Sequence, residues 1–174
     1  MTEFAFASHV EVAPGRFRER AGLDFEEFAV GQVFRHRPGV TVSQQDNVEE
    51  ALDTLNQAMI HYDASYAART EWGRPLVVST LTIQRVVGMT SKTFGKRARV
   101  IGFAEIALPR PVFGGDTLYA ETEVLDRRDA GDPATGRLGL RTRGLNQDGA
   151  VVCELRWEIE VYKRDGLPFA RAGY

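Results

Sequence analysis

Moving a proton on and off a substrate near neutral pH is a task best suited to histidine. The 174-residue chain has three: His9, His36 and His61. His9 lies in an aperiodic stretch and reads as surface. His36 stands between Arg35 and Arg37 on a candidate strand, where alternation sends it to the opposite face; it reads as a sheet-surface histidine. His61 is different. It sits in a loop between two short candidate helices, within Thr54-Leu55-Asn56-Gln57-Ala58-Met59-Ile60-His61-Tyr62-Asp63. There it can act as acid and base, or simply pack with a ring nitrogen on a backbone carbonyl. Asn56, upstream in the same loop, offers an amide to a water or a carbonyl. A third group follows Val78, where Ser79 and Thr80 open a long apolar segment. Backbone N–H groups at a helix start can hold a developing negative charge, and a serine there can also be a plain cap.

The remaining polar residues carry less. Gln84 and Arg85 are unusual in an apolar helix; they read as paired structural groups, with a subunit interface or a substrate carboxylate as alternatives. Arg35, Arg37, Lys92, Lys96 and Arg97 could meet phosphates but read as solvated. Asp46 and Asp53 suit helix ends, Asp46 as an N-cap. The single cysteine, Cys153, allows no internal disulfide and no metal knuckle, and it reads as core filler. No phosphate loop, dinucleotide fingerprint or zinc spacing is found. No metal site or resident cofactor is expected.

Composition narrows the class. Lys and Arg total 22 against 24 Asp and Glu, for a net charge of −2. That balance argues against nucleic acid as the main partner. No apolar run is long enough to span a bilayer, and Met1-Thr2-Glu3-Phe4 does not open a secretory signal. A cytoplasmic protein with no membrane partner is the expectation.

The elements that must position these residues follow from periodicity. Residues 1–24 have no clear period, with Phe4, Phe6 and Val10 apolar and Arg16 to Arg20 a solvated lead-in; they read as an N-terminal extension. A domain is expected over 25–165 and a tail over 166–174. Gln32–Arg37 and Val40–Ser43 read as strands, or one bent strand, around Pro38-Gly39. Val48, Ala51, Leu52 and Leu55 recur at helical spacing, giving a helix near 47–55; a second helix is expected near 63–70. Residues 79–92 read as a buried helix. Strands follow at Val100–Leu108, Thr117–Leu125 and Arg137–Arg143, with Asp126–Gly136 a loop. Asn146-Gln147-Asp148-Gly149 is a hairpin turn. In the last strand Val151, Cys153, Leu155, Trp157, Ile159 and Val161 share one face. One sheet with one apolar face needs one cover, so the fold class is α+β, a curved antiparallel sheet of about five strands on a central helix. That helix is apolar beyond the stripe one sheet needs, so a homodimer or higher homo-oligomer is expected.

The stretch from Val42 to Asp63 resembles the hydratase motif of MaoC-like, (R)-specific enoyl-CoA hydratases. That pattern reads roughly V-T-x-x-D, a short helix, then T-G-D-x-N-P-x-H-x-D. Val42, Ser43, Asp46, Thr54, His61 and Asp63 fall on matching places without gaps. Gly73-Arg74-Pro75-Leu76-Val77, Pro111-Val112-Phe113-Gly114-Gly115-Asp116-Thr117-Leu118 and Asn146-Gln147-Asp148-Gly149 resemble later family segments in order. The resemblance covers about residues 25–163 and implies a hot-dog fold. It also implies a hydro-lyase acting across C2=C3 of a 2-enoyl thioester, with CoA, part of the substrate, preferred over acyl carrier protein. The chain departs from the pattern where Asn56 replaces the family aspartate, Ala58-Met59 the Asn-Pro, and Val78-Ser79 a His-Gly. The form with asparagine resembles a subgroup that includes itaconyl- or mesaconyl-CoA-type hydratases, with a branched or dicarboxylic acyl chain. In that form Asn56 would bind the water and His61 would be the acid/base. Val78, Ser79 and Thr80 would contact the thioester, with the Ser79 and Thr80 amides as oxyanion donors. A thioesterase on the same fold, with Asp46 or Asp63 as its carboxylate, is one alternative. A non-catalytic acyl-thioester-binding subunit is another.

Overall fold

Strict alternation at the end of the chain produces the strand that anchors the sheet: Cys153, Leu155, Trp157, Ile159 and Val161 are all buried. The computed structural model describes residues 8–129 and 131–164. In chain order the elements are β1 (His9–Ala13), β2 (Arg16–Glu19), β3 (Val33–Thr41), α1 (Gln44–Asp53), α2 (Ala64–Ala67), α3 (Ser79–Met89), β4 (Arg97–Ala107), β5 (Thr117–Arg128), β6 (Thr135–Leu145) and β7 (Val151–Tyr162). Strands β3 to β7 form one antiparallel sheet of five in the order β3-β5-β6-β7-β4, and α3 packs on β3, β5, β6 and β7. This is the hot-dog arrangement that the sequence implies. Among the described residues no helix is long and apolar enough to cross a membrane.

Closeness of helix to sheet depends on a glycine. A Cβ on Gly144 of β6 would stand 2.5 Å from Val86 Cγ2 of α3, so a side chain there would push the helix away. The other sheet face is a ladder of charges in register. Arg143 reaches Glu121 and Glu154, and Arg137 reaches Glu158 and Glu160. Such pairs add little stability individually, but they oppose a one-residue slip.

Several local expectations are corrected. Residues read as an aperiodic lead-in form the hairpin β1–β2, bound to the domain where Asp24 accepts from Arg20 and Lys96. Phe4, Phe6 and the tail at 166–174 lie outside the described residues. Helix α1 starts three residues early because Ser43 is its N-cap and Asp46 closes a capping box from the third helical position. Helix α2 is only Ala64–Ala67, whereas α3 continues through a 3-10 turn at Thr90–Lys92 as expected. The hairpin turn holds: Asn146 Oδ1 accepts from the amides of Asp148 and Ala150, and Gly149 has φ 78°.

His36 is the largest correction, being 4% exposed rather than on the surface. It begins a hydrogen-bonded line crossing four strands inside the core. The Trp157 indole donates to Thr142 Oγ1 (2.9 Å), Thr142 and Thr122 share a bond of 2.9 Å, and Thr122 Oγ1 meets His36 Nε2 at 2.9 Å. The indole can only donate. Thr142 Oγ1 therefore accepts there, beyond it the hydroxyls can close the line in either direction, and on the other side of the ring His36 Nδ1 lies 3.3 Å from Thr93 Oγ1. Burial, and secondarily the Arg37 charge, push the His36 pKa from 6.5 down to about 4. The unfolded chain therefore binds a proton below about 6.5 that the folded chain refuses until about 4. Stability from this group is complete above that window and falls as pH drops through it, by about 3 kcal/mol in total. His36→Gln is expected to be less stable at pH 7 but to show a flatter loss of denaturation midpoint between pH 6.5 and 4; equal slopes would remove His36 as the cause.

Candidate active site

The loop carrying His61 is built by small polar devices. Helix α1 ends in a Schellman pattern, with the Asn56 amide on the Ala51 carbonyl (2.8 Å) and the Leu55 amide on Leu52 (3.1 Å). Leu55 therefore takes φ 56°, a left-handed conformation usually given to glycine. Asn56 Oδ1 then accepts from the Ala58 amide at 3.0 Å, turning the chain into the 3-10 turn Met59–His61. Asp63 caps α2 by accepting from the Tyr66 amide.

His61 Nδ1 lies 3.0 Å from the Leu76 carbonyl oxygen. A carbonyl only accepts, so Nδ1 carries the proton and neutral His61 has its lone pair on Nε2. The segment leading into α3 is pinned on both sides: the Leu76 amide donates to Ile60 O (3.1 Å) and the Val77 amide to Val112 O (2.8 Å). The His61 carbonyl accepts from Gln44 Nε2 (3.0 Å) and from Asn47 Nδ2 (2.8 Å).

His61 and Ser79 line the same cleft, of about 290 Å³, together with Trp72, Thr82, Arg110 and Val152. The structure thus brings together two sequence-derived candidates from opposite ends of the 61–79 segment. Ser79 is the first helical residue and Val78 the N-cap position. Val78 is buried, and its amide is taken by Asn47 Oδ1 at 2.7 Å. That corrects Val78 as a thioester contact through its N–H. The first-turn amides of Leu81 and Thr82 turn back to Val78 O at 3.1 and 3.4 Å. The amides of Ser79 and Thr80 have no acceptor among the described residues. Asn56 and Thr80 are not among the cleft's lining residues. Asn56 Oδ1 accepts one bond, and its Nδ2 donors have no acceptor among the described residues. Asn47 is the residue that sequence reading missed. A polar side chain in a Gln-Gln-Asp-Asn run looks like a solvated helix start, and only its spacing to buried Ala51 marks the inner face.

Most of the other candidates have partners elsewhere in the fold. Arg85 pairs with Asp46 at 3.5 Å, and Gln84 donates to Glu50 at 2.7 Å, both on α1. Arg37 lies over the Tyr119 ring, Arg97 over Trp157, and Lys96 on Asp24. Burial pushes the Cys153 thiol up to about 11, so it is core filler and no nucleophile at neutral pH. A larger cleft, about 500 Å³, lies beside the N-terminal hairpin and is lined by His9, Arg20, Leu23 and Lys92. Size favours it, but only the smaller cleft joins an oriented imidazole to a helix start. Among the described residues no group of three or more His, Cys, Asp or Glu side chains converges as a metal site.

The chain is similar to several known proteins. Mesaconyl-CoA hydratase of Cereibacter sphaeroides is 33% identical over 85% of this chain and 43% of its own length. β-Methylmalyl-CoA dehydratase of Chloroflexus aurantiacus is 27% identical over 68% of this chain and 34% of its own. The chain therefore spans less than half the length of these two relatives. A Mycobacterium tuberculosis protein with a double hotdog fold superposes with TM-score 0.76 at 23% identity, over 87% of this chain and 50% of that one.

One strained position lends itself to measurement. Leu55 is 83% exposed, so truncating it loses no packing. Leu55→Gly is expected to stabilise the fold by about 1 kcal/mol, read as a higher urea midpoint at unchanged slope. A lower midpoint would contradict the left-handed assignment. The model of the MaoC like domain matches residues 25–142, and the chain belongs to that family.

Proposed function

We propose that the protein is a hydro-lyase that adds water to, or removes it from, the C2=C3 bond of a 2-enoyl-CoA. The observation that carries this reading is the His61 tautomer. With Nδ1–H held by Leu76 O, the basic Nε2 is left for a cleft that also holds the start of α3. The relatives named as a mesaconyl-CoA hydratase and a β-methylmalyl-CoA dehydratase favour the same reading, with a branched or dicarboxylic acyl chain.

In the hydration direction, Nε2 takes a proton from water as its oxygen bonds to C3. The C2=C3 electrons move toward the thioester carbonyl, and the Ser79 and Thr80 amides receive the negative charge on its oxygen. The imidazolium then returns a proton to C2, closing the cycle with no net change in the enzyme. One base serving both steps delivers H and OH to the same face. Asn56 does not line the cleft itself, so its proposed part is at the margin, where Nδ2 would donate to the oxygen of the attacking water.

A homodimer is also proposed. Strand β4 pairs only with β7 among the described residues, and along it Val100, Ile101, Phe103 and Ile106 are exposed. An open apolar edge of this kind is a template for another strand. Light scattering on the purified chain is expected to give twice the chain mass, and Ile101→Lys to shift it toward monomer; a monomeric parent would overturn this.

Crotonyl-, mesaconyl- and itaconyl-CoA distinguish the reactions. Hydration removes enoyl absorbance without releasing free thiol, whereas free thiol would mean a thioesterase. Two variants test the site. His61→Gln is expected to lower kcat by about 10²–10⁴-fold. Ser79→Pro removes one amide proton at the first helical position, where proline is tolerated, and Val78 already has the extended backbone proline requires (φ −61°, ψ 138°). It is expected to keep its helical signal and lose about 10²–10³-fold in kcat. Full activity in either variant would overturn the assignment of that residue.

A further inference from the structure

We infer that Asn47 is the positioning residue of this site, fixing the distance and angle between His61 and the amides that open α3. Asn47 is 0% exposed, on the inner face of α1. Its side-chain amide joins three backbone groups from two distant segments. Nδ2 donates to the His61 carbonyl at 2.8 Å and to the Leu76 carbonyl at 2.8 Å, while Oδ1 accepts from the Val78 amide at 2.7 Å. Both Nδ2 protons and the oxygen are therefore used, with Gln44 Oε1 a more distant neighbour at 3.5 Å.

The identity of the residue follows from this pattern. Val78 N–H must face an oxygen and the two carbonyls must face N–H, so the amide has one permitted orientation. Aspartate would set an oxygen against two carbonyl oxygens. Leucine, of similar shape, would leave these three backbone groups without this partner, the buried Val78 amide among them. Glutamine would carry the amide one methylene too far.

The consequence for the site lies in Leu76 O, which accepts from both Asn47 Nδ2 and His61 Nδ1. Asn47 holds the carbonyl, the carbonyl holds the imidazole, and the imidazole keeps its lone pair on Nε2. The same side chain occupies the Val78 amide, so the donors available at the helix start are those of Ser79 and Thr80. Base and charge-stabilising donors are thus referred to a single buried amide. Displacement of about 1 Å at such a site costs about 100-fold in rate.

This role rests on the reading of His61 as the acid/base, and its test separates the two. Asn47→Leu is expected to lower kcat for the preferred enoyl-CoA by about 100-fold or more with KM little changed. Side-chain ¹⁵N spectra of histidine-labelled protein, with His61 assigned by its loss in His61→Gln, are expected to show the Nδ1–H tautomer in the parent. They are expected to show a mixture of tautomers in the variant. Should Asn47→Leu not fold, Asn47→Ser keeps one hydroxyl for the three groups and gives the same two readouts. A folded variant with parental kcat and parental tautomer overturns the inference. So does a loss of activity that merely tracks a lower Tm while the tautomer stays fixed. If the parent hydrates no enoyl-CoA but the tautomer still shifts in the variant, the positioning role stands and the functional reading falls.

Discussion

A helix that starts against a sheet leaves backbone donors the helix itself cannot use, and those that are buried need an acceptor from elsewhere in the chain. In this protein that constraint falls at Leu76–Thr82. The chain arrives there extended, bridged to Phe113 and bonded to Val112, and then turns into α3. Val78 N–H goes to Asn47, and the amides of Leu81 and Thr82 go back to Val78 O. Two donors remain without an acceptor among the described residues, on the exposed Ser79 and Thr80. The position of α3 depends in turn on the absence of a side chain at Gly144, since Val86 occupies the space one would need. What the helix does at its start is therefore decided by how closely its middle meets the sheet.

The sheet divides its polar groups by strength of demand. On the outer face, Arg and Glu of neighbouring strands alternate in pairs that solvent screens. On the inner face the polar groups are neutral: Thr122, Thr142, Trp157 and an uncharged His36. A charged group in that row would lack a counter-ion, which is why the row ends on an imidazole held without its second proton. His36 and His61 show the same residue type used in opposite ways. One is sealed inside, with both ring nitrogens engaged by hydroxyls; the other is fixed by one nitrogen and lines a cleft with the other left free.

What could be read from the residues alone was whatever repeats or punctuates. The alternation of β7, the Asn146–Gly149 turn and the long apolar run of α3 are each local signals, and together they imply a curved antiparallel sheet on a central helix, which the family resemblance identifies as the hot-dog fold. His61 stood out because a histidine in a polar loop has few structural duties. The misses share one physical cause, which is that a side chain's burial depends on what packs against it from elsewhere in the chain. His36 has arginines on either side and looks solvated, yet Thr122 and Phe94 cover it. Asn47 looks like a surface helix residue, yet its partners are 14, 29 and 31 positions away. The β1–β2 hairpin has no buried face to impose a period, since all of it but Arg18 is exposed. Val78 was placed correctly at the helix start, but its donor proved to be already committed.

Asn56 illustrates how structure and chemistry can be separated at a single position. The loop asks residue 56 for one thing, an oxygen to accept from the Ala58 amide. Asparagine and aspartate supply that oxygen equally well, so the fold does not choose between them. The difference lies in the second terminal atom, an N–H donor in one and an acceptor of negative charge in the other. An acid there would offer the reaction a second base and set a negative charge in the loop that carries His61. On the proposed reaction, asparagine would leave His61 as the one base and contribute a neutral donor. On the hydratase reading, the same imidazole must then both remove and return the proton. That demands a ring held in one orientation through both steps, which the hydrogen bond from Nδ1 to the Leu76 carbonyl provides.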